Sequence, residues 1–137
     1  MMKQTLLIYA ILISSLSSLY AQKSAPSKTK QASHYVKTGT ASYYGAKFQG
    51  RVMANGQKFD ENKLTAASNT LSLGTWVRVS NLRNNKSVIV QITDRMHPKN
   101  KRLIDISKAA AKKLGFLKRG LAKVKVEVVD RGKHLSE

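Results

Sequence analysis

The 137-residue chain carries 25 Lys and Arg against seven Asp and Glu, a formal charge of +18, and no cysteine. That length holds one compact domain with short appendages. The lack of cysteine excludes disulfide staples, thiolate metal sites and covalent lipid attachment through a cysteine of this chain, so stability must come from an apolar core. The charge favours polyanionic partners.

Residues 1–21 read as a secretory signal peptide: Lys3 gives a basic start, Leu6 to Ile13 an apolar centre too short to span a bilayer, and Ser14 to Ala21 a run of small residues towards cleavage after Ala21. Removal of Lys3 leaves 24 basic residues against 7 acidic ones. Export to the periplasm or cell envelope makes nucleic acid an unsuitable natural partner and points to the cell wall. Residues 22–37 are polar, basic and poor in large apolar side chains, as in a flexible linker. The domain is expected over 38–130, with a tail at 131–137. His34, His97 and His134 show no metal-ligand spacing, so no metal site is expected.

Thr38 to Tyr44 alternates with β-type residues and predicts the first strand. Asn55-Gly56 marks a tight turn. Phe59 to Leu64 reads as a helical turn capped by Asp60, and Leu64 to Ala67 as a short buried strand. Thr75 to Leu82 places Val77 and Val79 on one face and Trp76, Arg78 and Ser80 on the other. Asn84-Asn85 turns the chain, and Lys86 to Thr93 returns with Val88, Val90 and Ile92 inward. Leu103 to Ile106 is a second small apolar run with its own acid, Asp105. Ser107 to Leu114 predicts the one helix, capped by Ser107 and closed by Gly115. Ala122 to Val129 alternates strictly as a last strand, with Val124, Val126 and Val128 inward. Short strands with one helix predict a mainly β fold, and closure into a small barrel would remove its edges.

The run from Val88 leads to Asp94, a scarce acid close in sequence to Arg95, Lys99, Lys101 and Arg102. Such an acid serves either a structural ion pair or chemistry. Asp105 reads as a cap or as a partner of Arg102. Tyr43, Tyr44 and Trp76 could stack on sugars or pack the barrel. Asn55 and Gln57 could bind glycan hydroxyls or simply make the turn. His97 is either an exposed loop residue or an ionisable neighbour of Asp94.

Gly39-Thr-Ala-Ser-Tyr-Tyr-Gly45, Ala54-Asn-Gly-Gln57, Leu64-Thr-Ala-Ala67, Leu73 to Leu82, Lys86 to Val90, Thr93-Asp-Arg95 and Leu103 to Ser107 together resemble the rare lipoprotein A family, from about Gly39 to Val129. The resemblance implies a six-stranded double-psi β-barrel of the expansin type with one short α-helix. It also implies an exported, endolytic lytic transglycosylase, which cleaves the glycosidic bond between N-acetylmuramic acid and N-acetylglucosamine of peptidoglycan glycan strands and leaves a 1,6-anhydro sugar. No cofactor is implied, and a monomer is expected. Asp94 matches the family's Asp-Arg motif and is the expected catalytic acid, with Tyr44, Asn55, Gln57, Ser68, Arg95 and His97 as expected substrate contacts. Three positions depart from the family pattern. Gln57 stands where Glu is usual, Ser68 where His is usual, and Asp94-Arg-Met-His-Pro98 replaces Asp-Arg-Gly-Pro. The alternative expectation is a glycan-binding barrel that has lost the catalytic partners.

Overall fold

The structure is a computed structural model that describes residues 34–130. The expected signal peptide, most of the expected linker, and the tail with His134 lie outside the described residues. The elements are β1 (Val36–Tyr43), a 3-10 turn (Ala46–Phe48), β2 (Thr65–Ala67), β3 (Trp76–Asn81), β4 (Ser87–Asp94), β5 (Ile104–Ile106), α1 (Lys108–Leu114) and β6 (Leu121–Val128). The six strands close in the order β1-β5-β2-β4-β3-β6. Two pairings are parallel, β1 with β5 and β2 with β4, and the other four are antiparallel.

Alternation decides which side chains enter the barrel. Val77, Val79, Val88, Val90, Ile92, Val124 and Val126 are buried, each one position away from a more exposed neighbour along β3, β4 and β6. β5 is buried at all three positions: Ile104 and Ile106 belong to the core, and Asp105 between them is held by Arg102. The helix lays Ala110, Ala111 and Leu114 on this core. Ser107 Oγ accepts the Ala110 N–H at its start, and Gly115 at φ 74° ends it in the left-handed conformation. Asn81 and Asn84 each donate from Nδ2 to the Leu114 carbonyl, so the β3–β4 hairpin satisfies the C-terminal end of the helix.

Two local expectations change. The first strand starts at Val36 rather than Thr38: Val36 and Lys37 pair with Glu127 and Val126, within the stretch read as linker. Cross-strand partners on β6, which composition does not reveal, order these residues. The stretch Phe59 to Leu64 is a turn rather than a helical turn. The Asp60 carboxylate accepts the Asn62 N–H and the Asp60 carbonyl accepts the Lys63 N–H, closing the backbone locally.

Among the described glycines, Gly39 has the closest neighbour. A Cβ there would sit 2.8 Å from Leu103 Cβ, a backbone-fixed atom. Gly39→Ala is therefore expected to destabilise the fold by about 1–3 kcal/mol through forced separation of β1 from the Leu103 segment. Urea unfolding of the variant should show a lowered midpoint with an unchanged slope.

Candidate functional site

A bulge makes the site. Strict alternation would aim Asp94 into the barrel with Val88, Val90 and Ile92. Instead Ala66 pairs with Ile92 and Ala67 with Asp94, so β4 has one residue more than β2 at this point. The extra residue, Thr93, is buried, and its hydroxyl donates to Met53 Sδ. The bulge turns Asp94 out of the core and onto the rim.

There Asp94 is held on both oxygens. Oδ1 accepts the N–H groups of Ala54 at 2.9 Å and Arg95 at 2.8 Å, and Oδ2 accepts the Tyr44 hydroxyl at 3.2 Å. The Ala54 donor is delivered by the Asn55-Gly56 turn, which docks on β4 through Asn55 N–H to the Thr93 carbonyl. Gly56, at φ 85°, supplies the left-handed residue that this turn needs. Tyr44 is wedged against Phe48 and Phe59, with ring centroids 5.3 and 4.8 Å away. Burial first, then the charge and hydrogen bond of Asp94, raise the Tyr44 phenol far above its ordinary value, so it stays a donor.

Arg95 does not pair with the neighbouring carboxylate. Its Nη1 binds the carbonyls of Ser68 and Leu71, both at 2.6 Å, and straps the 68–71 turn to the rim. The second acid, Asp105, is closed off. Arg102 clamps it in bidentate fashion at 2.8 and 2.9 Å, while Ser42 and Asn100 donate to the remaining lone pairs. Asp94 and Asp105 line one groove of about 420 Å³ together with Tyr44, Phe48, Arg51, Met96 and His97. Among the described residues, Asp94 takes part in no ion pair.

The expected substrate contacts separate into two groups. Tyr44, Arg95 and His97 line the groove. His97 is an exposed loop residue there: Nδ1 accepts the Lys99 N–H, and among the described residues no hydrogen bond joins it to Asp94. Asn55, Gln57 and Ser68 are not among the groove-lining residues. Asn55 Nδ2 donates to Gln57 Oε1 and Asn55 Oδ1 accepts the Gln57 N–H, so both side chains serve the turn. Ser68 is buried, and its Oγ accepts the Thr70 and Leu71 N–H groups. Tyr43 is a packing residue, donating to the Leu117 carbonyl and meeting Phe116 edge-on. Phe48, Arg51, Met96 and the Asp105 clamp were not identified as groove residues from sequence. Only the pairing Ser42↔Asp105, across 63 positions, brings the clamp to the rim. Among the described residues no group of His, Asp and Glu is placed to hold a metal ion.

Residues 36–133 match the family model described as lytic transglycolase. The chain belongs to this family. Endolytic peptidoglycan transglycosylase RlpA of Pseudomonas aeruginosa is 53% identical over 96 residues, covering 70% of this chain and 28% of that protein. The RlpA of Neisseria meningitidis serogroup A is 47% identical over 102 residues, covering 74% and 43%. That of Rickettsia bellii is 47% identical over 113 residues, covering 80% and 50%. The chain thus spans half or less of the length of these curated relatives. Among solved structures, a Streptomyces papain inhibitor aligns with a TM-score of 0.56 at 27% identity, over 70% of this chain and 96% of that one. Clavibacter michiganensis expansin aligns with a TM-score of 0.56 at 20% identity, over 71% and 52%. The closed barrel is the family's double-psi fold, as the sequence led us to expect.

The Tyr44 phenol has a raised pKa in the folded protein, so its contribution to stability is complete below its unfolded value near 10 and is lost as pH rises beyond it. Tyr44→Phe, which removes the phenol donor from Asp94 Oδ2, should be less stable than wild type at pH 7. The gap should narrow above about pH 10, where only the wild type has this phenol to ionise on unfolding. Urea midpoints of both proteins between neutral and alkaline pH measure this directly.

Proposed function

We propose that this protein is an exported lytic transglycosylase of the cell envelope that cleaves peptidoglycan glycan strands, with Asp94 as acid and base. The observation that carries the reading is Asp94 itself. It is a carboxylate turned onto a groove by a bulge, fixed by two N–H groups on one oxygen, and unpaired with any described cation. Family membership and the RlpA relatives support the substrate class.

The chemistry follows from this placement. Protonated Asp94 gives its proton to the oxygen linking the N-acetylmuramic acid anomeric carbon to the next sugar, and that bond breaks with its electron pair leaving on oxygen. The resulting carboxylate then takes the proton of the muramyl C6 hydroxyl as that oxygen bonds to the anomeric carbon. The 1,6-anhydro sugar forms and the proton returns to Asp94, with no water consumed. One group performs both transfers, so a second free carboxylate across the cleft is not required, unlike in inverting hydrolysis. This matches a groove whose other acid, Asp105, is locked by Arg102. Oδ2, reached by the single Tyr44 donor, is the oxygen with room to exchange the proton.

A glycan-binding barrel without catalysis is the competing reading. It is favoured by one observation: Gln57 and Ser68, at the family's usual Glu and His positions, spend their side chains on turns. The two readings separate on purified sacculi. Catalysis predicts soluble anhydro-muropeptides by mass spectrometry, reduced about 10²–10⁴-fold in Asp94→Asn. Saturable sacculus binding without product release would establish the competing reading. Unchanged activity in Asp94→Asn would remove that residue from its role.

A further inference from the structure

A second concave surface lies away from Asp94 and, unlike the Asp94 groove, has no acid to offset its cations. The groove, of about 740 Å³, is lined by Arg83, Lys118, Arg119 and Lys123 and by no acidic residue. All four cations are exposed, and none forms an ion pair among the described residues. Lys123 Nζ donates to the Thr40 hydroxyl, which keeps its charge on the rim.

The loop between α1 and β6 is built to present this charge. Gly115 and Gly120 adopt φ of 74° and 73°, turning the chain at both ends of a four-residue segment. Gly120 N–H closes it on the Phe116 carbonyl. Phe116 is buried as an anchor, and Leu117 packs on the core while its carbonyl accepts the Tyr43 hydroxyl. Two apolar residues thus point in, and Lys118 and Arg119 are held out. Beside them lie two exposed leucines, Leu82 at 49% and Leu121 at 54% exposure. They belong to neighbouring strand ends: Leu82 N–H binds the Lys123 carbonyl, two residues from Leu121.

Four unpaired cations around a concavity, bordered by exposed aliphatic side chains, match a membrane interface. Phosphate headgroups meet the cations, and the leucines enter the acyl boundary. A soluble polyanion gives no reason for the leucines. We infer that this groove, with Leu82 and Leu121, docks the protein on an anionic phospholipid surface. The β3–β4 hairpin lies at the start of β4 and Asp94 at its end, roughly 23 Å apart along the strand. Docking therefore leaves the Asp94 groove open to an extended strand beyond the bilayer. The inference does not depend on the role given to Asp94.

Because the chain has no cysteine, single labels test it cleanly. The exported chain from residue 22 carries an environment-sensitive dye at Leu82→Cys or, in the Asp94 groove, at Val52→Cys, and is mixed with vesicles of phosphatidylglycerol and phosphatidylcholine. Blue-shifted emission at position 82 alone, requiring phosphatidylglycerol and weakened by salt, is expected. Arg83→Gln with Arg119→Gln should weaken vesicle binding roughly 25-fold, about fivefold per basic residue. The equally charged control Lys58→Gln with Lys63→Gln should change it less than about threefold. Equal shifts at 52 and 82, or equal losses in both double variants, would show nonspecific attraction and overturn the inference. Tight binding of soluble polyphosphate through Arg83 and Arg119, with no vesicle-induced shift at 82, would assign the groove to a free phosphate polymer and equally overturn it.

Discussion

One extra residue in β4 determines where the Asp94 carboxylate sits. Ala66 and Ala67 are consecutive in β2, but their partners Ile92 and Asp94 are not. Without that slip Asp94 would follow the valines into an apolar core, where an unpaired carboxylate costs several kcal/mol. With it, Thr93 takes the buried place and the carboxylate reaches the rim. The three-residue strands β2 and β5 extend the same row across the wall, since Ala67 also pairs with Asp105 and Asp105 with Ser42. Two of the seven acids in the chain are thereby set on one groove.

The basic residues then divide the labour between those acids. Arg102 takes Asp105 as a bidentate partner, with Ser42 and Asn100 completing its shell. This gives the end of the barrel a rigid polar lock. Arg95, adjacent to Asp94, is directed to two carbonyls of the 68–71 turn instead. Asp94 receives its stabilisation from N–H groups and a phenol, which position it without covering it. Away from those acids, the far hairpin, the α1–β6 loop and the start of β6 gather Arg83, Lys118, Arg119 and Lys123 around a single concavity.

Much of this fold was legible because its strands have one wet and one dry face. The alternation of Val77 and Val79, of Val88, Val90 and Ile92, and of Val124 and Val126 specifies both strand and orientation. The helix was legible from Ser107, three alanines and Gly115, each acting locally. The ordered family motifs then pointed to the double-psi barrel. What the motifs did not convey was the local bonding of the helpers. Gln57 and Ser68 were expected at the substrate from their motif positions, but both side chains close local turns. Residues such as Asn, Gln and Ser bind neighbouring backbone as readily as a ligand, and motif position does not distinguish the two. The bulge at Thr93 was equally hidden, since an alternating run reads the same with or without a slip in its partner.

The sequence by itself determined an apolar, alternating barrel of the lytic transglycolase family, strongly basic and with one conspicuous acid at the end of a strand. These are properties of local pattern, composition and ordered motifs. The tertiary structure decided which acid is open and which is locked, where Arg95 spends its guanidinium, and that Tyr44 rather than Gln57 or Ser68 touches the carboxylate. Those outcomes depend on register between strands up to 63 residues apart in the chain. They also depend on competition among donors for the same lone pairs, and both are settled only when the barrel closes.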